Sequence, residues 1–172
     1  EYTADRVAGR TVIITTTNGT AALAACSLAK DVLVGAMVNR TAVAKAARRL
    51  AATNGWGAIH LVCAGTDGEV TEEDILTAGA ILDAAAHDDD ASCDVLDADA
   101  VAARSRYRAI AKSDGSDTTH GIVEAFRDSA GGKNLVALGM EADIAAAAAV
   151  DSLPVVPRLA PLGNRLIPLS HD

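Results

Sequence analysis

Three polar interruptions in an otherwise alanine-rich, aliphatic chain carry the residue types from which an anion-handling site is built. The first, Thr15-Thr16-Thr17-Asn18-Gly19-Thr20, sets hydroxyls, an amide and a glycine directly before a helical stretch. Unpaired N–H groups and the positive end of the macrodipole at a helix start stabilise an anion, phosphate above all. Gly19 lets the backbone approach an oxyanion closely. Threonine and asparagine are also ordinary helix caps, so the run reads equally as an N-cap turn. In the second, Val38-Asn39-Arg40-Thr41, Asn39 or Thr41 can cap the next helix. Arg40 offers a planar cation suited to bidentate contact with phosphate, sulfonate or carboxylate, or simply a solvated surface charge.

The third interruption, Cys63-Ala64-Gly65-Thr66-Asp67-Gly68-Glu69-Val70-Thr71-Glu72-Glu73-Asp74, is the densest. Thr71 and Asp74 have capping-box spacing, which sets a helix start near residue 72. Asp67, Glu69, Glu72 and Glu73 remain as further carboxylates, and hard oxygen ligands beside a phosphate suit Mg²⁺. Acidic residues also favour any first helical turn through the dipole, which accounts for part of the pattern without a metal. Cys63, ahead of a glycine turn and a helix start, has the setting of a lowered-pKa nucleophile. No spacing among His60, His87, His120 and His171 identifies its base. Buried small-residue filler is the plainer reading of that thiol.

The elements that must position these interruptions alternate in type. Residues 11–16, 31–37 and 58–63 read as strands and 20–30, 40–53 and 72–86 as helices. That order predicts a parallel sheet with helices on its faces, and unbroken apolar strands predict burial on both sides. The three interruptions would then cluster at the carboxyl rim, where open α/β sheets take ligands. Residues 95–112, 117–130 and 141–150 read as helices, broken near 113–116 and at Gly131-Gly132. All four prolines lie in the last stretch, which reads as two short, partly edge-located strands.

At 172 residues the chain fits one domain. Half its residues are apolar but only 2% are aromatic, which predicts a core of Ala, Val, Leu and Ile. No apolar run is long enough to span a bilayer and no signal peptide is visible, which reads as cytoplasmic. Cys26, Cys63 and Cys93 are an odd set without metal-type spacing, against a disulfide framework or zinc. A net charge of −8 disfavours nonspecific binding to nucleic acid or an anionic membrane. The Asp-rich tract from His87 to Asp99 reads as a solvated surface of halophile type rather than a metal site.

Taken together, Thr16-Thr17-Asn18-Gly19-Thr20, Asn39, Cys63-Ala64-Gly65-Thr66 and the Glu73-Asp74-led helix through Gly79 resemble the 2-phosphosulfolactate phosphatase family. The likeness continues through Ser129–Leu135, Gly139 with Asp143-Ile144, and Asp151 with Val155-Val156-Pro157. The resemblance implies a Mg²⁺-dependent hydrolase that converts 2-phospho-3-sulfolactate to sulfolactate and phosphate, as in coenzyme M biosynthesis. It also implies an α/β fold, a three-layer α/β/α sandwich with a mostly parallel or mixed sheet, and a homodimer.

Members of that family are longer at the N-terminus. Residues 1–172 would therefore be a single α/β domain, the C-terminal two-thirds of a longer architecture. Under this reading Thr16, Thr17, Asn18, Gly19, Thr20, Asn39, Arg40, Cys63, Gly65 and Thr66 bind substrate, and Asp67, Glu73 and Asp74 hold Mg²⁺. The nucleophile is either a metal-activated water or an aspartate of the additional segment. The alternatives are a noncatalytic anion- or nucleotide-binding module, an inactive truncated homologue, and a cysteine hydrolase acting through Cys63.

Overall fold

Small residues set how this chain packs. The computed structural model describes residues 3–55, 58–86, 96–112, 118–160 and 165–169. After a single turn, α1 (Ala4–Val7), comes α2 (Gly19–Ala25), well short of the helix predicted over 20–30. A 3₁₀ turn over Met37–Asn39 leads into α3 (Arg40–Asn54), which stops at Gly55 with φ +65°. That left-handed stop is where glycine carries no Cβ penalty. Helix α4 (Glu72–Ala85) packs against α5 (Ala98–Lys112) so closely that a Cβ on Gly79 would overlap the Ala103 carbonyl.

Three shorter helices follow: α6 (Thr118–Asp128), α7 (Ala130–Ala137) and α8 (Glu141–Ala148). The expected break at Gly131-Gly132 is instead the first turn of α7. Buried Ser129 makes the corner, donating to the Phe126 carbonyl at 2.6 Å and accepting from Gly132 N at 3.0 Å. Gly132 is small because the Phe126 carbonyl occupies the space of a Cβ. These glycines mark close approach rather than helix termination.

The main core joins Met37, Leu76, Ala80, Tyr107, Ile122, Phe126, Ile144 and Ala148. Aromatic residues are few, but Tyr107 and Phe126 are buried within it, which corrects the expectation of a purely aliphatic core. A second cluster, Val43, Ala46 and Val156, packs with Leu33, Ile81 and Leu169.

The sheet differs most from expectation. The proline-rich end forms β1 (Pro157–Leu159) and β2 (Leu166–Pro168), paired antiparallel with Arg158 opposite Ile167. Segment 31–37 adds one antiparallel bridge, Leu33 to Arg158, with Val34 N donating to Pro157 O at 2.9 Å. Segments 11–16 and 58–63 are not assigned to strands and have no ladder partner among the described residues. Ile13 is 89% exposed, Ile14 69% and Val62 57%. The mostly parallel sheet is therefore replaced, among these residues, by a mostly helical chain with a two-stranded antiparallel sheet. Apolar pattern alone does not make a strand, because a ladder requires a neighbouring backbone. His87 to Val95, the bulk of the acidic tract and including Cys93, lies outside the described residues, as does His171.

Candidate functional site

The second interruption is a closed polar knot. Asn39 is buried, and its amide is spent on backbone: Oδ1 accepts from Ala36 N at 2.8 Å, and Nδ2 donates to Val34 O and Val155 O at 3.1 and 2.9 Å. It clasps the entry to α3 onto the run leading into β1. Arg40 lies 3.2 Å from Asp151 Oδ2, donates to the Tyr107 hydroxyl, and stacks 5.3 Å from the centre of the Tyr107 ring.

Asp151 completes the knot, accepting from Thr41 N at 2.8 Å and from Thr41 Oγ1 at 2.7 Å. Its carboxylate thus occupies the N-terminus of α3, the position offered to a ligand anion. Partial burial opposes its ionisation, but the Thr41 N–H and hydroxyl and the Arg40 guanidinium outweigh that and hold its pKa below the usual carboxylate value. Tyr107 is pushed up, chiefly by burial.

In the third interruption Thr66 and Glu69 exchange backbone hydrogen bonds at 2.8 and 3.0 Å around Asp67 (φ +53°) and Gly68 (φ +85°). Positive φ at both central residues is the type I′ hairpin turn that Asp-Gly favours. Asp67 sits exposed at its tip. Gly65 also has positive φ, and a Cβ there would lie 2.6 Å from Glu69 O. One oxygen of Asp74, Oδ2, gathers three donors: Gly65 N at 3.1 Å, Thr71 N at 3.3 Å and Thr71 Oγ1 at 2.7 Å. The carboxylate therefore ties the hairpin to the start of α4.

Its neighbours point elsewhere. Glu72 pairs with Arg106 of α5, while Glu73 lies against Gly131 in the first turn of α7 with Oε2 buried and unpartnered. Among the described residues no three His, Cys, Asp or Glu side chains converge as a metal site. Cys63 is half-buried, and its thiol is raised by burial and then by the charge of Asp74. That environment withholds the thiolate a cysteine nucleophile requires.

The first interruption is the open one. Thr16 Oγ1 accepts from Thr20 N at 3.2 Å, and the Thr20 hydroxyl donates back to Thr16 O. A Cβ on Gly19 would lie 3.0 Å from Thr16 Oγ1. Thr16, Thr17 and Thr20 are exposed, Asn18 makes no capping bond, and the first turn of α2 holds no acidic residue. Among the described residues no hydrogen bond or ion pair joins this loop to the other two interruptions.

Sequence reasoning left out one feature beside the knot. A cavity of about 510 Å³ opens along α3, with Thr41, Lys45, Arg49 and Asp151 on its walls and Val156 and Leu169 among its apolar lining. Thr41, Lys45 and Arg49 recur every fourth residue, the spacing that places side chains on one helix face.

A family-wide sequence pattern described as 2-phosphosulpholactate phosphatase matches residues 1–161. A protein of Deinococcus radiodurans named probable 2-phosphosulfolactate phosphatase is 36% identical over 162 residues, covering 94% of this chain and 61% of that relative. One of the same name from Symbiobacterium thermophilum is 34% identical over 157 residues, or 91% of this chain and 61% of the relative. A third, from Caldanaerobacter subterraneus subsp. tengcongensis, is 46% identical over 83 residues, 48% of this chain and 32% of its own length. The chain thus spans about three fifths of the length of the two relatives matched most fully among these three.

Proposed function

Because the chain belongs to the 2-phosphosulpholactate phosphatase family, we propose that it serves the hydrolysis of 2-phospho-3-sulfolactate. Water adds to phosphorus, the ester P–O bond breaks, and sulfolactate and inorganic phosphate leave. The observation that carries this reading is the family match, which runs through all three interruptions. In it the phosphate takes the Thr16–Thr20 loop, whose exposed hydroxyls and helix-start N–H groups suit phosphate oxygens. Lys45, on the wall of the α3 cavity, is the cation for the sulfonate or carboxylate arm. Arg40 and Asn39 act from behind: their groups are bound to Asp151, Tyr107 and backbone, so they hold the start of α3 in place. Cys63, Gly65 and Thr66 shape the rim of the third interruption.

Mg²⁺ belongs to the same reading, and the donor set fits it only in part. Glu73 offers a buried oxygen that lacks a partner, whereas Asp74 Oδ2 already serves three donors and Asp67 stands at a hairpin tip. Glu73 would hold the ion, with substrate oxygens and water completing the shell. The bound ion would supply charge neutralisation to the phosphoryl group. The reading further includes a three-layer α/β/α architecture, a homodimer and a place in coenzyme M biosynthesis.

The test is phosphate release from 2-phospho-3-sulfolactate, read with and without Mg²⁺ and a chelator, for this chain alone and for the chain co-expressed with the rest of a relative's sequence. Chelator-sensitive release in either preparation is expected. Tight substrate binding with no release in both would sink the hydrolase and favour a noncatalytic anion-binding module.

A further inference from the structure

We infer that the cavity along α3 takes an anion carried on an aliphatic chain, a sulfonate or carboxylate of several carbons, with its head group on Lys45 and its chain along the apolar wall. The helix supplies two neighbouring ridges. Thr41, Lys45 and Arg49 form the polar one, and Ala42 and Ala46, each one residue further on, form the apolar one. Alanine at both positions is what leaves the space open.

The opposite wall is Pro154, Val156 and Leu169. Hydrogen bonds to backbone fix it against the start of α3 and against the end of the chain's small sheet. Leu153 N donates to Val38 O and Asn39 Nδ2 to Val155 O, both at 2.9 Å, and Leu169 N donates to Val156 O at 2.8 Å. The cavity is thus formed by the fold before any ligand arrives, as small-molecule sites usually are.

Its size exceeds what the acid arm of a three-carbon ester needs. At about 510 Å³ it falls within the range of small-molecule sites, about 300–1,000 Å³. At about 30 Å³ for each water-sized group it has room for well over a dozen non-hydrogen atoms, whereas a sulfomethyl arm has about five. The remaining space is bounded by hydrocarbon, which rewards added methylene groups.

The sign of the head group follows from the polar ridge. Lys45 is exposed and has no ion-pair partner among the described residues. Asp151, which also lines the cavity, has both oxygens engaged by Thr41 and Arg40, so it does not call for a ligand cation. Lys45 therefore attracts an anion within a chain whose net charge is −8. The inference goes beyond the proposed function: it shares Lys45 with that reading but needs no hydrolysis.

The experiment is calorimetric titration of this chain with ethane-, butane- and hexanesulfonate below micelle-forming concentrations, with hexylamine as the opposite-charge control. Affinity should rise about threefold to fourfold per methylene group, and hexylamine should bind far more weakly than hexanesulfonate. Lys45→Met, which keeps the apolar stem and loses the charge, should weaken all three sulfonates by a similar factor, roughly fivefold or less because the lysine is exposed. Nuclear Overhauser contacts from the hexyl protons should reach the methyl groups of Val156 and Leu169, which locates the chain without any substitution. In phosphate release from 2-phospho-3-sulfolactate, hexanesulfonate should raise KM and leave kcat unchanged.

Three outcomes overturn the inference: affinity that is flat with chain length, hexylamine binding as tightly as hexanesulfonate, or contacts from the hyxyl protons to residues outside the cavity. Chain-length-dependent binding in the cavity by a protein that releases no phosphate overturns the hydrolase and leaves the inference standing, and binding there without competition removes Lys45 from the substrate's acid arm alone. Chelator-sensitive release with flat sulfonate affinity does the reverse.

Discussion

Replacing Asp151 tests whether the anion position at the start of α3 is filled by the protein itself. Asp151→Ala removes the acceptor for Thr41 N and Thr41 Oγ1, a cap whose loss costs about 1 kcal/mol. It also removes the pair with Arg40, worth roughly 0–1 kcal/mol because the carboxylate is 35% and the arginine 20% exposed. Residue 151 has φ +52°, and alanine in a left-handed position costs roughly 1–2 kcal/mol. Since aspartate already bears part of that cost, the expected total is roughly 2–3 kcal/mol.

Asp151→Gly should recover the backbone share, and Asp151→Asn should keep one accepting oxygen, for Thr41 N, and tolerance of positive φ, losing the charge and the second acceptor. Urea denaturation followed by circular dichroism ranks the four proteins: wild type, then Asn, then Gly, then Ala. The folded-state pKa of Asp151 lies below its unfolded value, so its contribution is full above the unfolded pKa and fades as pH falls through the depressed folded value. The gap between wild type and Asp151→Asn should therefore close in acid. A wild-type midpoint for Asp151→Ala, or a gap that widens as pH falls, would refute the capping role.

Asn39→Ala should cost about 3 kcal/mol by the same denaturation, because a buried N–H and two carbonyls lose their partner together. Asp74→Asn should cost about 1–2 kcal/mol, since an amide oxygen accepts the three donors less well than a carboxylate. Glu73→Gln should leave the denaturation midpoint unchanged or raise it, because the buried oxygen it neutralises has no partner; if Glu73 holds Mg²⁺, the same variant needs more Mg²⁺ for phosphate release, and an unaltered requirement removes it from the metal's shell. Cys63 should resist alkylation near neutral pH and react only as pH rises past the ordinary thiol range, read by mass spectrometry after timed quenching.

Local signals carried α3 and α4. Capping-box spacing at Thr71 and Asp74 sets the start of α4 at Glu72, where the structure begins it, and the alanine-rich run gives α3 almost to the residue. The proline-rich end was legible as short edge strands for the same reason: Pro157 and Pro168, which lack a donor, face each other at one end of the two-stranded pairing. Asp67-Gly68 is a hairpin signal in its own right, set among carboxylates whose types suit a metal equally well. Pairing was not legible. Whether 11–16 becomes a strand depends on a neighbour that its own residues do not specify, and the direction of 31–37 depends on Arg158, more than a hundred residues away. The site residues were visible as types but not as partners. Asp151 stood out only as a motif position, and nothing near it in sequence says that its carboxylate caps α3.

These internal carboxylates narrow where a ligand's negative charge can go. The start of α3 holds Asp151, that of α4 is tied by Asp74, and Glu73 lies against that of α7. An incoming phosphate at any of these would face a like charge at short range, or would have to displace bonds to Thr41 or Thr71. The Thr16–Thr20 loop has no such carboxylate among the described residues, and it offers hydroxyls exposed to solvent. It adjoins segment 11–16, whose faces are open. Inorganic phosphate should therefore bind at this loop: Thr17→Asp, which puts a carboxylate there, should weaken its binding, while Asp151→Asn should leave it unchanged. Undiminished phosphate affinity in Thr17→Asp would place the anion site elsewhere.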